Sequence, residues 1–353
     1  VRRLRHLDAR AGRGDREARR RRRRRLRARR SHRPSEEPRS GRHRGHDLRG
    51  VAEGRSPLSV RILGPGDEAL VAAFCERHPD TTLFFQNNVA ASGLVDDGGP
   101  YSGRYAASFA DGGITALVAH TWNGNVIVEA PVEIEAVARA AIAASGRDVA
   151  GLVGPYAQIV ALRNALGLDA ASATMDSPDE LFAVSLANLR VPEPIARGAW
   201  IWRVPRTDEL DLLAEWRVGY RVELMGEVAG PQLAARAREE IERNQSDDRN
   251  FVLEVDGALV AYAGYNAATP RCVQIGGVWT PPPLRGCGYA RAAVAGALLA
   301  ARARGVERSI LFTGVHNHAA QAAYRALGYE RIGDYGLVLF AVPQPLTAST
   351  TRR

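Results

Sequence analysis

Strand and helix patterns run along this chain twice in the same order, with a short stretch rich in Pro and small residues, 191–198, between the two passes. Alternation of this kind restricts the chain to an α/β layout, in which helices cover a sheet. In the first pass, 58–63 reads as a strand and 67–77 as a helix; 104–109, 114–120 and 125–129 then read as strands set apart by Gly-containing turns. A helix over 132–144 stops at Gly146, and a strand at 149–153, a helix at 157–166 and a strand at 180–186 follow. The second pass opens with a strand at 199–204, a helix at 208–225 with acidic residues in its first turn, and a helix at 232–244. Strands at 251–255, 258–265 and 272–280 form a meander, with Asp256 and Gly257 as a hairpin turn. A helix over 289–304 stops at Gly305, a buried strand spans 309–312, a helix over 318–327 stops at Gly328, and strands at 330–332 and 336–340 close the pass. Shared order without obvious identity points to an old duplication. The expected organisation is two domains of mixed sheet flanked by helices, at 56–191 and 199–345, with a linker at 192–198 and a tail at 346–353.

Length agrees, since 353 residues exceed one domain of about 150. The formal net charge of +9 is misleading, because residues 1–55 hold 22 Arg against 7 acidic residues and the remainder is therefore mildly acidic. That first segment includes seven consecutive arginines, 19–25, and almost no large apolar residue, so it cannot offset its ordering entropy and is expected to be disordered. It reads as a basic arm for nucleic-acid phosphates, as a solvated tail, or as upstream sequence translated from a wrongly chosen start, which the initial Val favours. A nucleic-acid partner is expected, if at all, only through this segment. Cys75, Cys272 and Cys287 are odd in number and far apart, suggesting neither a disulfide framework nor a zinc site. With no apolar run near the roughly 20 residues that span a bilayer, the expectation is a cytoplasmic protein without a membrane partner.

The chemistry concentrates in Arg285, Gly286, Cys287, Gly288, Tyr289 and Ala290, between the strand ending near Thr280 and the helix starting at Tyr289. Two glycines let the backbone turn so that several N–H groups point into one concavity at a helix N-terminus. Unpaired amides and the positive end of the helix dipole favour an anion such as a pyrophosphate, with Arg285 adding charge. The segment is neither a Walker A loop, since no G-K-[ST] follows, nor a dinucleotide fingerprint, since no acidic ribose ligand stands at the expected distance. Asn317 and Tyr324 lie two helical turns apart, on one face. Each alone also reads as structural, an Asn cap and a packed core Tyr.

Arg285 to Ala290, with Pro282 three residues ahead of Arg285, closely resembles the Q/R-x-x-G-x-G/A segment of the GNAT acyltransferase superfamily. Asn317 and Tyr324 follow in the order that family shows, and the resemblance covers most of 200–340. It implies an acetyl-CoA-binding N-acetyltransferase. Pyrophosphate would lie against Gly286, Cys287, Gly288, Tyr289, Ala290 and Arg291, and Asn317 would contact the cofactor. Val278, Trp279 and Thr280 would offer backbone groups to pantetheine and to the thioester carbonyl, and Tyr324 would protonate the departing thiolate. The first pass lacks this segment and resembles a degenerate GNAT repeat, a tandem arrangement known in the superfamily.

The general base departs from the family pattern: Gln274 is the comparable polar side chain on the strand before the loop, and Phe312 stands where some relatives carry Glu. Trp216, Tyr220 and Glu223 recur at i, i+4 and i+7. That face reads as the border of the acceptor pocket with Glu223 relaying the amine proton, or as an ordinary amphipathic helix carrying a surface Glu. His316 and His318 lack a carboxylate or cysteine beside them, so no metal is assigned. Cys287 has no His partner and is not assigned as a nucleophile. The acceptor is expected to be a primary amine of a small molecule or a protein. A regulatory module that senses CoA and a nucleic-acid-associated protein remain as alternatives.

Overall fold

A computed structural model of the chain describes residues 59–346. The expectations for the Arg-rich segment and for the tail beyond 346 lie outside the described residues. The first pass folds as β1 (Ser59–Ile62), α1 (Glu68–Arg77), α2 (Leu83–Ser92), β2 (Gly103–Ala110), β3 (Gly113–Thr121), β4 (Asn125–Glu129), α3 (Ile134–Ser145), β5 (Val149–Pro155), α4 (Tyr156–Ala165) and β6 (Ala173–Ser185). The Pro-rich stretch holds a one-turn helix, α5 (Glu193–Ala196). The second pass gives β7 (Ile201–Arg203), α6 (Leu210–Met225), α7 (Pro231–Ser246), β8 (Asn250–Val255), β9 (Ala258–Ala268) and β10 (Cys272–Trp279). It ends with α8 (Tyr289–Ala303), β11 (Arg308–Gly314), α9 (His318–Ala326) and β12 (Glu330–Gln344). No helix among the described residues is long and apolar enough to cross a membrane.

All twelve strands join one mixed sheet, in the order β1-β2-β3-β4-β5-β12-β6-β11-β10-β9-β8-β7. Pairing is antiparallel except at β4–β5 and β10–β11. At the centre the passes exchange their last strands: β12 runs between β5 and β6, and β6 runs between β12 and β11. The exchange explains two departures from the sequence reading. Read only over 180–186, β6 begins at Ala173, because Pro178 and the acidic residues around it look like a turn until β12 and β11 supply partners on both edges. The strands expected at 330–332 and 336–340 are one 15-residue strand, whose register against β6 shifts at Gly333.

Helix α2 was not legible in the sequence. Its buried residues, Leu83, Phe85, Asn87 and Asn88, are spread around the helix instead of forming one stripe, because it is packed on more than one side. It also joins the passes: Asn87 Oδ1 accepts from the Ala268 amide at 3.1 Å and from Arg249 Nη2 at 3.0 Å.

Phe182 on β6 is fully buried and packs in the second-pass core with Val184, Leu311 and Tyr324. A large-to-small change at such a site loses transfer free energy and leaves a cavity, so Phe182→Ala is expected to cost about 3–5 kcal/mol. Denaturant unfolding checks this; a cost under about 1 kcal/mol would show that the exchanged strand does not hold this core together.

Candidate functional site

Strands β10 and β11 pair only from Cys272↔Arg308 to Gln274↔Ile310 and then part. Beyond that point β10 stays on β9 as far as Trp279, and β11 stays on β6 as far as Gly314, so the opening lies between them. A local cause is a bulge: the β10 register against β9 shifts between Gly276 and Trp279. Gly277 there has φ 61°, and a Cβ on it would sit 2.5 Å from Arg217 Nη1, so only glycine fits. Val278 and Trp279 lie at the parted end, with Thr280 just beyond, leaving one edge of β10 without a strand partner.

The turn from Thr280 into α8 has the form the sequence implied. Gly286 and Gly288 take φ values of 82° and 81°, and Gly288 stands at the N-cap without any side-chain cap. The amides of Gly286, Cys287, Gly288, Tyr289, Ala290 and Arg291 donate to no other described group, whereas Arg285 N is already turned onto Pro282 O. Six consecutive uncapped donors stand at the positive end of a 15-residue helix, an arrangement that favours an anion. The Arg291 guanidinium lies beside the cradle, since a Cβ on Gly288 would be 3.6 Å from its Nη2.

Arg285 does not add its charge to that cradle. Its guanidinium turns back over the Trp279 ring, 4.9 Å from the centroid, donates to Thr280 O at 3.0 Å, and grips Glu223 with two bonds of 2.8 and 2.9 Å. Glu223 is thus held through both oxygens and ties α6 to the loop. Arg285 occupies both Glu223 oxygens, an anchoring contact that stands beside the relay expected for it.

The rest of that helix face packs against β10. Trp216, Arg217, Tyr220, Tyr262, Gly277 and Trp279 come together between α6, α7 and β10 in a crevice without room for a water molecule. Helix and strand are in close contact here, for a Cβ on Gly219 would be 3.0 Å from Trp279 Cζ2. Arg217, only 6% exposed, pairs with Glu240, which also accepts from Arg221 at 2.6 Å. Burial works against the charge on Glu240, but Arg217 and Arg221 more than offset it and hold the carboxyl below its usual value. Arg217 and Arg221 therefore lock α6 to α7.

Tyr324 packs its ring into the second-pass core at 9% exposure, edge-on to Tyr329 at 6.0 Å. Its hydroxyl bonds no other described residue and is not sealed from solvent. Burial raises it well above the usual tyrosine value, so it stays protonated at neutral pH. Asn317 is exposed and caps α9, its Oδ1 accepting from Ala320 N at 3.2 Å, which leaves Nδ2 available to a ligand. Gln274, the polar residue noted on β10, is 1% exposed and lies where β10 and β11 are still paired; Phe312 stacks on Tyr335 at 4.9 Å. Cys287 is an exposed free thiol. His316 and His318 are exposed, and among the described residues no group of three His, Cys, Asp or Glu could hold a metal ion.

One residue that no motif marked is brought to the parted strands. Asp179 on β6 stands opposite Gly314, where β11 ends, and a Cβ on Gly314 would be 3.7 Å from Asp179 Oδ1. Its carboxylate makes no hydrogen bond or ion pair with another described residue. Only the strand exchange carries it there, so no local sequence signal could have found it.

The corresponding place in the first pass is closed. Strands β4 and β5 also run parallel and pair only from Asn125↔Gly151 to Ile127↔Val153. Just past that point the Ala130 amide donates to Gln158 Oε1 at 2.6 Å, and Gln158 Nε2 donates to Glu129 Oε1 at 2.9 Å. Helix α3 starts after Glu133 and carries Glu135 in its first turn, an acidic end that repels phosphate.

The model of the acetyltransferase (GNAT) family matches residues 211–329, a segment that runs from α6 through the cradle to the end of α9. Among solved structures, an X-ray structure of a Drosophila protein aligns over 81% of this chain and 99% of its own, at 11% identity and a TM-score of 0.57, a likeness of fold. A GCN5-related N-acetyltransferase from Sphaerobacter thermophilus aligns over 82% of this chain and 98% of its own, at 15% identity and a TM-score of 0.49. A tandem GNAT protein from the clavulanic acid biosynthesis pathway aligns over 82% and 100%, at 14% identity and a TM-score of 0.45. No curated protein matches the chain. With β10 and β11 parted and the cradle at the start of α8, residues 211–329 carry a domain of the acetyltransferase (GNAT) family, whose fold supports acyl transfer.

Proposed function

We propose that the protein is an N-acetyltransferase, moving the acetyl group of acetyl-CoA to a primary amine of a small molecule or a protein by direct attack in a ternary complex. The observation that carries this reading is the run of uncapped amides from Gly286 to Arg291, set beside strands that part beyond Gln274 and Ile310. The amides and the dipole of α8 suit a pyrophosphate, with the Arg291 guanidinium adding charge. The open edge of β10 at Val278, Trp279 and Thr280 suits the amides of pantetheine, which would add as a strand does, and an N–H there would polarise the thioester carbonyl. Asn317 Nδ2 is left to meet the cofactor. Acetyl-CoA supplies the acetyl group as a thioester. The neutral amine attacks its carbonyl carbon, a C–N bond forms as the C–S bond breaks, and Tyr324 gives its proton to the leaving sulfur.

Glu223 supports the site from outside by holding Arg285 away from the cradle. Glu223→Gln is expected to weaken CoA binding only a few-fold, since an exposed pair contributes about 0–1 kcal/mol, and to leave the pH dependence of turnover unchanged. Loss of a titrating limb in that variant would restore Glu223 as the proton acceptor. The whole reading is tested by thermal shift with CoA and acetyl-CoA, followed by thiol release with a panel of primary amines. A ligand that binds only the folded state raises Tm, so an unchanged Tm at millimolar CoA would sink the proposal.

A further inference from the structure

We infer that Asp179, on the strand that the first pass contributes to the second, is the group that takes the proton from the acceptor amine. The inference rests on the acetyltransferase reading and supplies the proton acceptor that reading otherwise lacks.

Successive residues of a strand face opposite sides of the sheet. Glu180 faces α9, because it pairs with Arg325 at 3.2 Å, and Phe182 faces the same way, under the Arg325 guanidinium at 5.2 Å. Asp179 and Leu181 therefore face the other side. Leu181 packs there with Tyr335, Phe312 and residues of α1 and α2. Helix α6 covers this same side of the sheet: its Leu213 clusters with Val252 of β8 and Tyr262 of β9, whereas Tyr265 of β9 and Val273 of β10 cluster with α8 on the side of Tyr324. Asp179 and Tyr324 thus approach the parted strands from opposite sides. That separation suits a reaction in which one group removes a proton from the incoming amine and another gives one to the leaving sulfur.

The neighbour across β11 is glycine. With no side chain at Gly314, the Asp179 carboxylate has space to lean over β11 toward the gap between β10 and β11. It reaches far enough for its charge to be felt at Tyr220, whose ring meets Trp279 edge-on at 6.4 Å and which is itself within electrostatic reach of Tyr324.

The surroundings also suit a proton acceptor. Toward β11 Asp179 meets Gly314 and Phe312, and toward β12 it meets Tyr335, whose hydroxyl donates to Thr81 O at 3.4 Å. Of the charges on α6, Arg217 and Arg221 are both held by Glu240, and Glu223 is held by Arg285. Glu180, with its partners Arg325 and Arg331, lies on the opposite face. No cation among the described residues is paired with Asp179, and burial raises its carboxyl from the usual carboxylate range to about 7. A carboxylate of that basicity is matched to an amine near neutral pH.

The step balances. An ammonium acceptor gives one proton to the Asp179 carboxylate, and the resulting amine forms its C–N bond as the C–S bond breaks. Tyr324 protonates the sulfur and regains a proton from the new amide nitrogen; Asp179 returns its own to solvent.

The test compares wild type with Asp179→Asn, using CoA and a panel of primary amines. The expected result is a variant with an unchanged CoA-induced Tm shift and a kcat/KM lower by about a hundredfold or more at neutral pH. Wild-type kcat/KM should fall as pH drops below about 7, and that limb should be gone in the variant. A second readout needs no acceptor. A carboxyl raised in the folded state withdraws stability as pH climbs from its unfolded value to its folded one, so the variant should gain in Tm over wild type between about pH 4 and 7 and keep that gain above it. A variant with wild-type turnover and an intact acidic limb overturns the inference while the acetyltransferase reading stands. A wild type that binds no CoA overturns both.

Discussion

Gly288→Glu is expected to abolish the Tm rise that CoA gives the wild-type protein. The new carboxylate would stand at the N-cap of α8, among the uncapped amides of the cradle. Two unit charges about 4 Å apart repel by about 4 kcal/mol at an effective dielectric of about 20, equivalent to nearly a thousandfold in affinity. Backbone strain must be separated from charge, because Gly288 has a φ of 81° and any side chain there costs about 1–2 kcal/mol of stability. Gly288→Ala carries the strain without the charge. Both variants should melt lower than wild type by similar amounts, and only the Glu variant should lose the CoA response altogether. Calorimetry giving the Glu variant wild-type affinity for CoA would remove the cradle as the pyrophosphate site.

For Tyr324→Phe the expected pattern is the reverse: CoA affinity is kept while kcat falls by about a hundredfold or more, the usual contribution of a positioned proton donor. The ring lies in the core and its hydroxyl bonds no other described residue, so removing the oxygen should leave the fold undisturbed. A loss confined to kcat marks a group that acts only as the bond to sulfur breaks. Wild-type kcat in the variant, measured with an acceptor the wild type demonstrably acetylates, would take Tyr324 out of the reaction.

The glycine-spaced turn and the helix face shared by Asn317 and Tyr324 were legible in the sequence because their geometry is local. A glycine-spaced turn into a helix exposes amides wherever it occurs, and Asn317 and Tyr324 share a helix face by spacing alone. The proton acceptor was not legible for the opposite reason. Glu223 stood on the expected face of α6, but its partner is Arg285, 62 residues away, and that bond closes only when α6 packs against β10. Asp179 lies just outside the strand read at 180–186. Helix α2 escaped notice because packing on several sides erased the stripe by which an amphipathic helix is recognised.

By itself the sequence determined the alternation of strands and helices, the glycine-spaced turn before α8 and the lack of such a turn in the first pass. Each follows from residues within a few positions of one another, whose backbone preferences and side-chain spacing do not depend on the rest of the chain. Tertiary structure alone decided that the passes exchange β6 and β12, that Arg285 turns from the cradle to Glu223, and that Asp179 arrives beside Gly314. A strand's hydrophobic pattern states which faces it can bury but not which strand it will pair with, so partners across a sheet are chosen only when the whole core is assembled.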